Sequence, residues 1–227
     1  MLTIADACGL DRFSVVGRSG GGPHALACAA LLHERVTKAA VLVGLAPHGA
    51  DGLDWFDGMA QSNVLEFTAA ANGYEDIVAH TKVVADAVRA NPASLIARLQ
   101  AELPAPDRRV VADRGIRAML IETYAEALRT SDYGWIDDAL AFCSPWGFDP
   151  ASLTVPVLLW HGDSDVFSPA SHARWLADRI PSAAVVVQAG AAHFGALDVL
   201  PDILRWLSAG RPDDRGFVEH ARSARGA

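Results

Sequence analysis

The stretch FSVVGRSGGGPHALACAALL, residues 13–32, decides the fold that we expect for this chain. Its β-branched and apolar beginning, residues 13–16, predicts a short strand, and its Ala- and Leu-rich end, residues 23–32, predicts a helix. Residues 17–21 between them have the G-x-S-x-G spacing of a sharp strand-to-helix turn, in which only small neighbours leave room for a strained serine. The pattern therefore predicts a strand-turn-helix unit with a serine at its turn.

Ser19 is the candidate nucleophile of this turn. The strain presents the serine to a substrate, and the helix behind it directs backbone N–H groups and a positive dipole end to the same point. An oxygen that becomes negatively charged there would be stabilised, and we expect the N–H of Gly20 to be such a donor. Ordinary glycine-rich turns can carry the same string, so the catalytic interpretation depends on partners elsewhere in the chain.

The composition is that of a globular protein. The chain has 227 residues, of which 51% are hydrophobic, so it can bury a sizeable core. A formal net charge of −8 argues against nucleic acid or an anionic membrane as a partner, since both call for clustered Lys and Arg. The first residues show no secretory signal. Three scattered cysteines without metal-ligand spacing indicate reduced thiols and a cytoplasmic protein.

Four short apolar runs, bounded by turn residues, read as buried parallel strands. They are residues 13–16, 39–44, 155–160 and 183–188. Helical patterns alternate with them, and Ser168 with Pro169 has the form of a helix start. Because such alternation produces parallel sheets with right-handed crossovers, we predict an α/β fold, a mostly parallel sheet with helices on both faces.

Residues 47–150 show helical periodicity and no strand pattern. The block lies between two predicted strands of one sheet, so we interpret it as a helical insertion over the carboxyl edge of the sheet, that is, a lid. The predicted core then comprises residues 1–46 and 151–210. The tail, residues 211–227, is rich in Arg, Asp and Gly and is predicted to be loosely ordered.

A serine nucleophile needs a histidine base and a carboxylate that orients the base. The third predicted strand ends in WHGDSD, residues 160–165, and the fourth is followed by GAAHFG, residues 190–195. The carboxyl ends of parallel strands lie at one edge of a sheet. Ser19, a carboxylate of the first turn and His193 of the second can therefore meet there.

The residues leave alternatives at two of these positions. Asp163 and Asp165 both follow the third strand, and either carboxylate could orient the base. His48, just after the second strand, is the one serious rival to His193.

Three segments resemble the α/β-hydrolase superfamily, in particular its lidded serine hydrolases of the prolyl-iminopeptidase-like and esterase-like kinds. They are GRSGGGPHALACA, VPVLLWHGDSDVFSP and AGAAHFGAL, in this order. The resemblance implies an acyl-enzyme mechanism on a small-molecule ester or amide, with Ser19 as nucleophile, His193 as base and no cofactor or metal. In that family the acid lies three residues after the glycine of its turn, which here is Asp165. Thioester or carbon–carbon bond hydrolysis is the alternative chemistry.

Side chains that could line a substrate pocket come from the turn and from the lid. The candidates are Arg18, His24, Trp55, Phe56, Trp135 and Trp146. His24 follows the nucleophile too closely to act as its base, so only packing or pocket lining is expected of it. For each aromatic residue, packing in the core of the lid is the simpler alternative.

The family's sheet normally has several strands before the serine turn, one of which leads to a second oxyanion N–H. Only sixteen residues precede the turn here, and they read as the end of a helix. We therefore expect a partial α/β-hydrolase fold without its N-terminal strands, with Gly20 as the lone oxyanion donor. A weakened hydrolase and an inactive remnant that serves as a binding or assembly module both fit. The bare edge of the first strand favours a homo-oligomer.

Overall fold

The structure is a computed structural model that describes residues 1–209, and the tail predicted at 211–227 lies outside the described residues. The strands are β1 (Phe13–Arg18), β2 (Val36–Leu42), β3 (Val157–Gly162) and β4 (Ala183–Gln188). The helices are α1 (Leu2–Ala7), α2 (Gly21–Leu31), α3 (Gln61–Asn72), α4 (Tyr74–Ala90), α5 (Ala93–Glu102), α6 (Ala105–Val111), α7 (Arg114–Ala127), α8 (Tyr133–Cys143), α9 (Ala170–Arg179) and α10 (Ala196–Ser208). Two short 3₁₀ turns are Pro150–Ser152 and His193–Gly195.

The four strands form one parallel sheet in the order β1-β2-β3-β4, which confirms the predicted α/β fold class. Their carboxyl ends lie within two residues of one another. Arg18 pairs with Leu42 and Leu42 pairs with Trp160, while β3 and β4 end together at Gly162 and Gln188. The residues that follow each strand are thus brought to one edge of the sheet. Within residues 1–209, β1 pairs with β2 alone, so its other side is a free edge.

The second strand differs in extent from the predicted residues 39–44. It already begins at Val36, because Lys38, which looks too polar for a buried strand, places its Nζ 3.0 Å from the carbonyl oxygen of Trp206. The strand ends before Val43, whose φ of 48° lies in the left-handed region that β-branched residues rarely adopt. Val43 therefore turns the chain out of the sheet.

Helices cover the sheet on both faces, because successive side chains of β2 and β3 point in opposite directions. One set packs against α2 and α9, and the other packs against α10. The first layer includes Leu26, Ala39, Val41, Leu159 and Leu176. The second includes Leu42, Leu158, Trp160, Ile203 and Trp206. Burial of each large side chain contributes roughly 1.5 to 3 kcal/mol.

Six helices, α3 to α8, lie between β2 and β3, and we call them the helical insertion. They pack against one another, and they also reach the carboxyl edge of the sheet. Ile96, Leu103 and Val111 of the insertion form one apolar cluster with Phe167 and Phe194, which lie in the loops that follow β3 and β4. The insertion thus rests on the loops in which the candidate acid and base lie.

Candidate active site

The turn after β1 has the geometry that its glycines predict. Ser19 has a φ of 53°, which is a strained conformation for a residue with a side chain. A Cβ at position 17 would lie 2.0 Å from the carbonyl oxygen of Gly21, so only glycine fits there. The Ser19 N–H donates to the Leu42 carbonyl at 2.8 Å, and α2 begins two residues later. Ser19 is therefore held at the amino end of α2.

His193 and Asp165 form a buried pair after β4 and β3, with exposed fractions of only 6% and 4%. The Nδ1 atom of His193 lies 2.9 Å from Asp165 Oδ2 and 3.1 Å from Oδ1. The N–H groups of Phe167 and Ser168 donate to Asp165 Oδ1 at 2.9 and 3.2 Å. These bonds hold the carboxylate facing the imidazole.

The surroundings of Asp165 favour its ionised form. Burial alone would raise the pKa of this carboxyl group, but the positive charge that His193 can carry and hydrogen bonds from His161 and His193 hold the pKa well below its usual range. His161 Nε2 lies 3.3 Å from Asp165 Oδ2. Asp165 is therefore an anion at neutral pH and can stabilise a protonated imidazole beside it.

The rivals that the sequence left open lie elsewhere. Asp163 is exposed, and its Oδ1 accepts the N–H of Gly190 at 2.9 Å, so it ties two turns together. His48 packs edge-on against Trp55, with the ring centroids 5.2 Å apart. Neither side chain forms a hydrogen bond with the buried pair.

Ser168 is a second serine close to the pair. Its Oγ lies 3.5 Å from His193 Nδ1 and 3.2 Å from Asp165 Oδ2, and it donates to the Val43 carbonyl at 2.7 Å. A nucleophile must give its proton to the opposite ring nitrogen, Nε2, so Ser168 is badly placed for that role. The Ser168 hydroxyl does not cap α9, which begins at Ala170; it contacts the Val43 carbonyl and the acid instead.

Ser19 and Gly20 form part of the wall of a cavity of about 520 Å³ beneath the helical insertion. The remaining wall comes mostly from α3, α7 and α8 and includes Phe67, Tyr124, Leu128, Trp135 and Phe142. Within residues 1–209, neither the Ser19 hydroxyl nor the Nε2 of the candidate base forms a hydrogen bond. Catalytic hydrogen bonds commonly tighten only when substrate binds.

The aromatic pocket candidates lie at different depths behind this wall. Trp135 lines the cavity directly. Trp55 stands behind the wall, with its ring centroid 5.0 Å from that of Phe67. Phe56 packs on Trp55 at 5.1 Å, one layer further out. Only Trp135 of these three can touch a ligand in the cavity without a rearrangement.

The other three pocket candidates are not part of the cavity wall. Arg18 points under the loop after β4, where its Nη2 donates to the carbonyl oxygen of His193 at 3.2 Å. His24 Nε2 is 3.0 Å from Asp138 of α8, which itself lines the cavity. Trp146 is partly buried and packs against the apolar layer that α2 and α9 form with the sheet.

A second cavity of about 470 Å³ lies within the helical insertion and shares Asn63, Glu66, Tyr124 and Trp135 with the first. Glu66 is the acidic group at this junction. The Trp135 Nε1 donates to its Oε1 at 2.7 Å, and burial raises the pKa of Glu66 to about 7. This carboxyl group therefore exists in both protonation states near neutral pH.

Replacing Glu66 by glutamine should stabilise the protein at alkaline pH. The folded-state pKa is raised, so between about pH 4.3 and 7 the folded state binds the proton more tightly, and stability falls as pH rises. Glutamine keeps an acceptor for the Trp135 N–H and cannot ionise, so this loss of stability at higher pH does not occur. We expect the free energy of unfolding at about pH 8 to rise by the order of 1 to 3 kcal/mol, and to be nearly unchanged at about pH 4.

Urea unfolding at both pH values measures this effect, with the exposed Glu122→Gln as a control. A Glu66→Gln protein no more stable than the wild type at alkaline pH would contradict the prediction.

Sequence reasoning missed two acids of this region. A signal existed for Glu66, because it shares a helical face with Asn63 and the buried Ala70. Asp107 accepts the backbone N–H of His193 at 3.1 Å. Asp107 lies in the first turn of α6, and acids are common there because they interact favourably with the helix dipole. Nothing in the sequence therefore distinguished Asp107 from an ordinary helix-start residue.

Residues 1–209 contain no cluster of three or more His, Cys, Asp or Glu side chains that could hold a metal ion. In the same range, no helix combines the length and the apolar character needed to cross a membrane. The three cysteines are free thiols.

A comparison with protein families agrees with the fold. The family model described as the alpha/beta hydrolase fold matches residues 1–198. This chain belongs to the α/β-hydrolase family and is a hydrolase of that type. No curated protein sequence matches it.

Solved structures show the same fold. A bromoperoxidase from Bacillus anthracis has a TM-score of 0.63 at 18% identity, over 90% of this chain and 68% of that one. An enol-lactonase from Burkholderia xenovorans LB400 has a TM-score of 0.57 at 20% identity, over 90% and 67%. A 2-hydroxy-6-oxo-6-phenylhexa-2,4-dienoate hydrolase from Rhodococcus sp. strain RHA1 has a TM-score of 0.57 at 18% identity, over 89% and 66%.

Proposed function

We propose that this chain is a serine hydrolase that cleaves an ester or amide of a small molecule through an acyl-enzyme. One observation carries the proposal. Asp165 and His193 form a buried pair, with 2.9 Å between the carboxylate and Nδ1, and they lie in loops at the same edge of the sheet as the strained Ser19. The three residues have the chemical types and the supporting contacts of a catalytic triad.

In this mechanism the Ser19 hydroxyl attacks the substrate carbonyl while His193 Nε2 takes its proton. Asp165 stabilises the resulting imidazolium, and the Gly20 N–H donates to the oxyanion. When the tetrahedral intermediate collapses, the alcohol or amine leaves with the proton from His193. Water then attacks the acyl-enzyme and gives a proton to the same nitrogen. When this second intermediate collapses, the Ser19 oxygen leaves and takes that proton back from His193, which releases the acid and restores the serine.

The cavity supports a small-molecule substrate with an apolar part. It is about 520 Å³ in volume and has aromatic and aliphatic side chains beside Ser19. The helical insertion acts as a lid in this proposal, because α3, α7 and α8 form the roof over the serine. The likeness to an enol-lactonase supports testing esters before amides.

Two further parts of the proposal concern the protein as a whole. Free thiols and the acidic charge support a cytoplasmic location. The free edge of β1, where Val16 is 42% exposed, supports pairing of two copies of the chain.

Fluorophosphonate labelling of the purified chain tests the proposed function. These reagents react with an activated serine, so we expect one label per molecule, which mass spectrometry of the peptides should place on Ser19. His193→Gln should block the label, whereas Ser168→Ala should leave it in place.

A folded sample that takes up no label would contradict the hydrolase proposal. That outcome would favour the alternative, a binding or assembly module on the same fold. Labelling at Ser168 instead of Ser19 would overturn the assignment of the nucleophile.

A further inference from the structure

Asp107 joins the helical insertion to the loop that carries the candidate base. It lies in α6 and is fully buried, with an exposed fraction of 0%. Its Oδ2 accepts the N–H of His193 at 3.1 Å, and its Oδ1 accepts the N–H of Phe194 at 2.8 Å. Both oxygens of a buried carboxylate are therefore bonded to successive N–H groups of one short loop.

The loop has no acceptor of its own for these groups. His193 and Phe194 open the 3₁₀ turn that leads into α10, and the first N–H groups of a helical turn lack partners within it. Ala192, the residue before the turn, has no side chain that could cap them. Asp107 supplies the cap from a distant part of the chain, and its negative charge suits the amino end of a helix.

The two N–H bonds also explain how an acid is accommodated there. Burial raises the pKa of Asp107, while the N–H of Phe194 and the positive charge that His193 can carry oppose the rise. The negative charge of Asp165 adds to the rise, so these contacts offset only part of it.

His193 is restrained from three directions. Asp165 holds its Nδ1 at 2.9 Å, and Arg18 donates to its carbonyl oxygen at 3.2 Å. Asp107 holds its N–H. The first two restraints come from the ends of β3 and β1, whereas the third comes from the helical insertion.

We propose that Asp107 is a positioning residue, through which the docked helical insertion sets the orientation of His193. His193 is then correctly oriented only while α6 packs against the loop after β4. Because α6 belongs to the helical insertion that covers the cavity, covering the cavity and activating Ser19 are coupled. This inference rests on the proposed function and deepens it.

Asp107→Asn tests the inference, with Asp113→Asn as a matched control. The Asp113 carboxylate also accepts two backbone N–H groups, those of Gly115 and Ile116, but it does so at the start of α7 and not on the loop of the base. Asparagine at position 107 keeps one acceptor oxygen and turns an NH₂ group toward the other N–H.

We expect Asp107→Asn to lower kcat for p-nitrophenyl acetate by about 10²-fold, the effect of a misplacement near 1 Å, and to change KM by less than about threefold. Asp113→Asn should leave both constants within about threefold of the wild type. Equal losses of kcat in the two variants would overturn the inference, because they would indicate a general loss of stability.

A second readout does not depend on turnover. The NMR signal of the His193 Nδ1–H, assigned by its loss in His193→Gln, should be sharp in the wild type and in Asp113→Asn. In folded Asp107→Asn it should broaden or disappear, and an unchanged signal would overturn the inference. An inactive wild type would contradict the proposed function instead, and this signal would still decide the role of Asp107.

Discussion

Replacing Ser19 by alanine should lower kcat/KM for p-nitrophenyl esters by roughly 10⁴- to 10⁶-fold. The methyl group cannot attack the carbonyl, so no acyl-enzyme forms and only direct attack by water remains. The oxyanion donor and the pocket stay in place and account for the residual rate. Steady-state kinetics on the folded variant measure the loss.

Ser168→Ala is the matched control for this experiment. It removes a hydroxyl that lies 3.5 Å from His193, but on the Nδ1 side of the ring. Ser168 also lines the cavity, but its hydroxyl lies beside the acid, so we expect a loss of less than about tenfold, the scale of one hydrogen bond. An active Ser19→Ala beside an inactive Ser168→Ala would contradict the assignment.

Asp165→Asn should lower kcat by about 10⁴-fold. The N–H groups of Phe167 and Ser168 both donate to Oδ1, so the amide oxygen should stay there and the NH₂ should take the place of Oδ2. That NH₂ would face His193 Nδ1, which is 2.9 Å away, and would force the ring proton onto Nε2. A base in this tautomer cannot accept the proton of Ser19.

Asp163→Asn provides the comparison, since that side chain only ties the two turns together, and kcat should stay within about threefold. Stability should also separate the two variants. The depressed pKa of Asp165 stabilises the folded state above the unfolded pKa of about 3.9, and this contribution is lost as pH falls. Asp165→Asn should therefore unfold at a lower urea concentration than the wild type at neutral pH. If Asp163→Asn lost activity and Asp165→Asn did not, the role of the acid would belong to Asp163.

Short-range patterns allowed much of this architecture to be predicted. The serine turn was predicted from the fixed spacing of Gly17, Ser19 and Gly21. The alternation of strands and helices was predicted from runs of a few apolar residues. Once the strands are parallel, the loops after them must share an edge, which places Ser19, Asp165 and His193 in one region. The extent of β2 could not be predicted, because the partner of Lys38 lies in α10, far along the chain.

The sequence by itself thus determined the fold class, the strained turn and the order of the three candidate catalytic residues, since each depends on neighbours along the chain. The family resemblance implied Asp165, but among the residues themselves only the tertiary structure separated it from Asp163, because both follow the same strand and only Asp165 faces the imidazole. It alone placed Glu66 at the junction of two cavities and Asp107 under the loop of the base. Burial and hydrogen-bond partners of such acids come from residues distant in sequence, so the packing of the helical insertion on the sheet edge decides them.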